Sequence, residues 1–145
     1  MPFKILEHIA DIGIIAEGKT FENALEETAY GMFLLMKDSL IKDSISAKID
    51  KMEKMGKIDK IEVSVQNEDK EELVVFLFSE ILAKCEIGGF SPIAMNVKSY
   101  DGKTINVEVL GEYKTLKNII KAITFHMLEV EQEKDGWKIQ ILFDI

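Results

Sequence analysis

Ile93-Ala94-Met95-Asn96-Val97-Lys98-Ser99-Tyr100-Asp101-Gly102-Lys103-Thr104-Ile105-Asn106-Val107-Glu108-Val109-Leu110 is the stretch whose reading decides the fold. Two β-like segments, Ile93 to Ser99 and Thr104 to Leu110, are joined through Tyr100-Asp101-Gly102-Lys103. Asp-Gly between alternating segments is a strong hairpin signal, because both residues tolerate the backbone angles of a tight turn. In the second segment Ile105, Val107 and Val109 share one face, so one side of the hairpin is buried.

The same pattern recurs downstream. About Met127 to Gln132 pairs with Trp137 to Ile145, turning at Lys134-Asp135-Gly136. In the last strand Trp137, Ile139, Ile141 and Phe143 point one way, and Lys138, Gln140, Leu142 and Asp144 the other. Upstream, Ile61, Val63 and Val65 alternate with Glu62, Ser64 and Gln66 as a half-exposed strand. Near the start, Phe3 to Leu6 and Ile12 to Ala16 are short β runs separated by the polar junction His8-Ile9-Ala10-Asp11.

Two helices complete the pattern. From Thr20 to Lys37, Phe21, Ala24, Leu25, Thr28, Met32, Leu35 and Met36 form a helical stripe with Thr20 as N-cap. Asp69 with Glu72 caps a second helix, about Lys70 to Lys84. Its core Leu73-Val74-Val75-Phe76-Leu77-Phe78 is apolar nearly all round, which predicts the more buried of the two. The acidic cluster at 68–72 suits the positive end of that helix, and Gly88-Gly89 stops it. The segment 37–57 is unassigned: Ile45, Ile49 and Met52 have helical spacing, but lysines 48, 51, 54 and 57 among acids suit a charged excursion equally well. The expectation is one α+β domain over 1–145, two helices packed on a mainly antiparallel or mixed sheet.

Composition supports this and excludes much else. The chain has 145 residues with net charge −8, is 47% hydrophobic and 30% charged, and carries no arginine. A chain of this size builds its core without a disulfide or metal. The lack of the bidentate guanidinium, together with the negative charge, makes strong unaided nucleic-acid binding a poor expectation. The single Cys85 excludes an internal disulfide and any multi-cysteine zinc site. No signal peptide is recognisable, and no apolar run approaches the ~18 residues of a membrane span, so a soluble, cytoplasmic protein is expected.

Most catalytic signatures are absent: no P-loop, no dinucleotide fingerprint, no nucleophile elbow and no zinc-protease motif. Cys85, at the end of a buried helix, reads as a core residue, and Trp137 as a core anchor. The rare polar residues carry more information. Histidines 8 and 126 both stand at edges of β segments, and Asp11 follows His8 in a bend. Asp144 is penultimate, so a side-chain carboxylate and the main-chain oxygens of Ile145 lie together. Carboxylates brought close repel unless protonated or bridged by a cation, and a hard ion such as calcium, magnesium or manganese is the natural bridge. A solvated Asp11 and a frayed C-terminus remain the plainer alternative.

At these residues the chain resembles the archease family. The resemblance rests on His8-Ile9-Ala10-Asp11-Ile12-Gly13-Ile14 with the helix ending Tyr30-Gly31-Met32, on Leu73 to Leu82 with Glu80, and on Lys121-Ala122-Ile123-Thr124-Phe125-His126 followed by Gly136-Trp137 and Phe143-Asp144-Ile145. Ile9 stands where the family usually has a small polar residue, and the loop from Gly111 to Lys121 is short and lacks an expected histidine. The resemblance implies an accessory protein, not an enzyme: an activator of the GTP-dependent tRNA-splicing RNA ligase that promotes ligase guanylylation and multiple turnover through a bound divalent metal, with calcium foremost and magnesium or manganese as alternatives. Its metal ligands would be Asp11, Asp144 and a main-chain or terminal oxygen of Ile145, with His8, Lys121 and His126 near them. Two other readings stay open: a chaperone-like partner of another tRNA-processing enzyme, such as a tRNA methyltransferase, and a small metal-dependent hydrolase.

Overall fold

A computed structural model describes residues 3–7, 11–37, 45–115 and 117–145. The elements run β1 (Phe3–Glu7), β2 (Asp11–Gly18), α1 (Phe21–Met36), α2 (Ile45–Lys54), β3 (Asp59–Gln66), α3 (Lys70–Gly88), β4 (Phe90–Tyr100), β5 (Thr104–Tyr113), β6 (Ala122–Glu133) and β7 (Gly136–Asp144). The fold is α+β, and its strands form two antiparallel sheets, ordered β1-β2-β7-β6 and β3-β5-β4. The 37–57 segment contributes α2, whose Met52 is buried.

Both expected hairpins form. At the first, the Asp101 carboxylate accepts hydrogen bonds from the Lys103 and Thr104 amides at 2.9 and 2.7 Å, and Gly102 takes φ 95°. Those two amides also hold the Asp101 carboxyl below its ordinary pKa. The caps read from sequence are present too. Thr20 Oγ1 accepts from the Asn23 amide at 3.0 Å, and Asp69 Oδ1 from the Glu72 amide at 2.9 Å. Gly89 ends α3 in the left-handed conformation, its amide donating to the Cys85 carbonyl.

The core lies where helices meet both sheets. α1 packs on β2 and β7 of one sheet and β4 of the other, and α3 on β6 of the first and β3 and β4 of the second. This reverses the expected order of burial. Eleven of the 16 residues of α1 are buried, against eight of 19 in α3. Both helices touch both sheets, but α1 lies against more strands, β1, β2 and β7 of one sheet and β4 of the other. It therefore loses more of its solvent face, which the small residues Ala24, Ala29 and Gly31 permit. A side chain on Gly31 would stand 2.8 Å from Ile14 Cδ1. In α3, by contrast, Phe76 remains 45% exposed despite its apolar neighbours.

Several polar groups inside this arrangement are matched, while Glu27 Oε2 and the Tyr100 hydroxyl have no hydrogen-bond partner among the described residues. The buried Thr28 hydroxyl donates to the Ala24 carbonyl at 2.7 Å. Strand β4 shifts register between Val97 and Ser99, and there the Val97 amide donates to Glu26 Oε2 of α1 at 3.0 Å. Lys70, the first residue of α3, places its ammonium 5.7, 5.9 and 5.8 Å from the rings of Phe21, Tyr100 and Trp137. One cation thus joins α1, β4 and β7 through three aromatic faces. Trp137 is the core anchor expected of it, packed on Phe21 with ring centroids 5.3 Å apart.

Candidate metal centre

The middle of the first sheet is made by β2 and β7, whose ladder runs from Gly18 opposite Trp137 to Asp11 opposite Asp144. Directly opposed residues of an antiparallel pair project to the same face with Cβ atoms about 5 Å apart. The apolar rungs between those ends, such as Ile14 against Ile141, are buried and set the register. That register delivers the two aspartates, 133 residues apart in sequence, to one spot at the sheet's edge.

There the carboxyl groups hydrogen-bond each other, and Asp144 is raised above its ordinary pKa chiefly by that bond, then by desolvation and the Asp11 charge. Lys121 acts in the opposite direction: its ammonium favours the ionised form of Asp144. The main chain of Lys121 is engaged as well, its amide donating to the Asp144 carbonyl at 2.7 Å. Ala122 then opens β6 opposite Asp144. Ends of three strands therefore converge on the pair: the start of β2, the end of β7 and the start of β6. Ile145 follows directly and is 37% exposed.

The other residues singled out from sequence separate. His8 lies outside the described residues. His126 is exposed in an irregular part of β6, past the rung where Thr124 faces Leu142, and its amide donates to Thr124 Oγ1 at 3.0 Å. It does not join the carboxylates. Among the described residues no three His, Cys, Asp or Glu side chains form a cluster able to hold a metal ion. The donor set is thus two carboxylates with main-chain oxygens beside them, a hard set suited to an oxygen-seeking cation. Two carboxyl groups brought this close repel when both are ionised, and a cation held between them would relieve that repulsion. Cys85 is fully buried and its thiol is pushed up to about 12 by desolvation, which suits a core residue and not a nucleophile.

Strand β7 is also buried more fully than alternation suggests. Leu142, placed on the polar face from sequence, is as inaccessible as Phe143, so the carboxylate pair stands at the border of a core closed on both sides. At the far end of the same ladder, about 24 Å away at 3.4 Å per residue, a cleft of 670 Å³ opens between Glu26, Glu27 and the Lys134-Asp135-Gly136 turn. Sequence reading did not find this cleft, since its walls come from α1 and a hairpin tip 110 residues apart.

Residues 3–145 match the Archease protein family (MTH1598/TM1083). The chain belongs to the archease family. The archease of Methanosarcina barkeri is 31% identical over 152 aligned positions, covering 99% of this chain and 95% of that protein. That of Pyrococcus furiosus is 32% identical, covering 96% and 95%. Among solved structures, Methanobacterium thermoautotrophicum protein 1598 superposes with a TM-score of 0.64 at 20% identity, covering 99% of both chains. An archease of Thermotoga maritima, described as a possible chaperone, superposes at 0.62 and 22% identity, covering 98% of this chain and 96% of its own. At those identities the two structures establish a shared archease fold, and the α+β architecture agrees with it. No helix among the described residues is long and apolar enough to cross a membrane.

Proposed function

We propose that this archease activates the GTP-dependent tRNA-splicing RNA ligase, promoting its guanylylation and repeated turnover with a divalent cation held by Asp11, Asp144 and an oxygen of Ile145. The single observation that carries the reading is the opposed Asp11–Asp144 pair, whose carboxyls hydrogen-bond at the rim of the sheet. A bound cation would supply charge neutralisation for a nucleoside triphosphate, the usual requirement of guanylyl transfer. The chain's own residues position the pair. The β2–β7 register sets the two aspartates face to face, and the Lys121 amide holds the Asp144 main chain in place. The Lys121 ammonium favours ionised Asp144 and so opposes the proton that a cation must displace.

Net charge −8 and the absence of arginine suit a protein that approaches the basic phosphate-binding site of an RNA enzyme, not the RNA itself. The test is guanylylation of the cognate ligase with GTP and divalent metal, with this protein present in substoichiometric amount. Faster guanylylation and multiple turnover are expected, both lost in Asp11→Ala and Asp144→Ala variants that keep the wild-type fold. A chaperone-like role toward another tRNA-processing enzyme, in keeping with the description of the Thermotoga maritima relative, predicts instead that client protection survives both substitutions. Calcium, magnesium and manganese are compared in the same assay.

A further inference from the structure

Strand β6, the outer strand of the first sheet, leaves its ladder in an unusual way. Thr124 faces Leu142 and Glu129 faces Gln140, so Phe125, His126, Met127 and Leu128 stand opposite Ile141 alone. An ordinary bulge adds one residue; this one adds three. It is also strained, since Met127 takes φ 56°, a left-handed conformation that an unbranched L side chain seldom adopts, and it does so alone among the described non-glycine residues. The excursion is nonetheless pinned. Gln140 Nε2 donates to the Met127 carbonyl at 2.8 Å, and the His126 amide to Thr124 Oγ1. The result is that Phe125 and Met127 are 55% and 43% exposed. Leu128 and Ile123, which flank them, turn toward the core.

We infer that the 125–128 excursion is the docking element of this archease, its Phe125 and Met127 side chains inserting into an apolar socket on the RNA ligase whose surroundings are basic. The inference rests on the function proposed above and names the partner surface of that same site. Three observations carry it. The excursion begins at Phe125, three residues along β6 from the rung opposite Asp144, about 10 Å along the strand. A partner seated on it therefore meets the carboxylate pair. Its rim is net acidic, with Asp11 and Asp144 beside Lys121 on one side and exposed Glu129 on the other, which favours a basic surface around the socket. The same acidity disfavours a second copy of the chain, which would set like charge against like. Exposed aromatic and methionine side chains held on a fixed backbone are the usual central anchors of an interface, while charged rims set orientation and on-rate.

The experiment measures affinity for the cognate ligase by titration calorimetry and guanylylation at saturating archease, for wild type, Phe125→Ser and Met127→Gly. Both sites are exposed and glycine accepts φ 56°, so both variants keep the fold, checked by the fluorescence of Trp137. Expected is a 10- to 100-fold loss of affinity in each variant, with full activation recovered at saturation. Wild-type activation with unchanged affinity in both variants would overturn the docking assignment and leave the activator reading intact. A wild-type protein that neither binds nor activates the ligase removes both together. Wild type that is dimeric by sedimentation, and monomeric as Phe125→Ser, assigns the surface to self-association and likewise overturns the inference.

Discussion

Asp11 and Asp144 are opposed partners at the last rung of the β2–β7 ladder, and the hydrogen bond between their carboxyls raises Asp144 above its ordinary pKa. Under the proposed function a cation would compete with a proton for these oxygens. Calcium, magnesium or manganese at neutral pH is expected to raise the melting temperature, and one hundred times the dissociation constant corresponds to about 2.7 kcal/mol. The gain should shrink as pH falls through the carboxylate range, because the raised Asp144 takes up its proton early. Asp144→Asn should melt no lower than wild type without metal, and show no metal-dependent shift in a thermal melt.

Glu27 gives a pH effect of the opposite origin. Burial pushes its carboxyl above the usual 4.5, and its Oε2 has no hydrogen-bond partner among the described residues. The folded state thus holds the proton more tightly than the unfolded chain, so this group costs stability as pH rises from the unfolded value through the raised one. Glu27→Gln should stabilise the protein at pH 7. The advantage should disappear below about pH 4, where both states carry the proton. Urea titrations at the two pH values decide it.

Lys70 sits within 6 Å of three aromatic rings from three different elements. Lys70→Met keeps most of the side-chain bulk and removes the charge, and is expected to cost about 0.5–2 kcal/mol. Since Trp137 is the only tryptophan, its emission should shift in the folded variant. Loss of stability without a spectral change would place the effect elsewhere.

Two glycines should respond oppositely to alanine. A Cβ on Gly111 would lie 2.2 Å from the Ser91 carbonyl oxygen of the neighbouring strand, and backbone cannot yield as a side chain does. Gly111→Ala should destabilise by about 3 kcal/mol or more. At Gly88, in the last turn of α3, a Cβ meets nothing within 4 Å. Gly88→Ala should be stabilising by about 0.5–1 kcal/mol. Denaturant midpoints measure both.

The local elements were legible in the sequence because their signals are local. Asp101-Gly102 reports a turn through its own carboxylate and its neighbours' amides, and Thr20 and Asp69 report helix starts through amides three residues on. Helix burial was not legible. The apolar run Leu73–Phe78 looks more buried than the mixed face of α1, yet α1 is the helix that lies against more strands and buries more of its residues. Periodicity reports how apolar a face is, not how many neighbours the fold brings to it. The site was legible only in part, since Asp11 and Asp144 stand out by their positions while their hydrogen bond depends on register.

By itself, then, the sequence determined the α+β content, the hairpins and caps, the acidic arginine-free composition and the two aspartates proposed as ligands. Tertiary structure decided the rest: the division of the strands into two sheets, the burial of Leu142, the separation of His126 from the carboxylates and the exposed Phe125 and Met127. Each of these turns on pairing between strands far apart in the chain. That pairing is set by the summed burial of residues such as Ile14 and Ile141, which no single stretch of sequence contains.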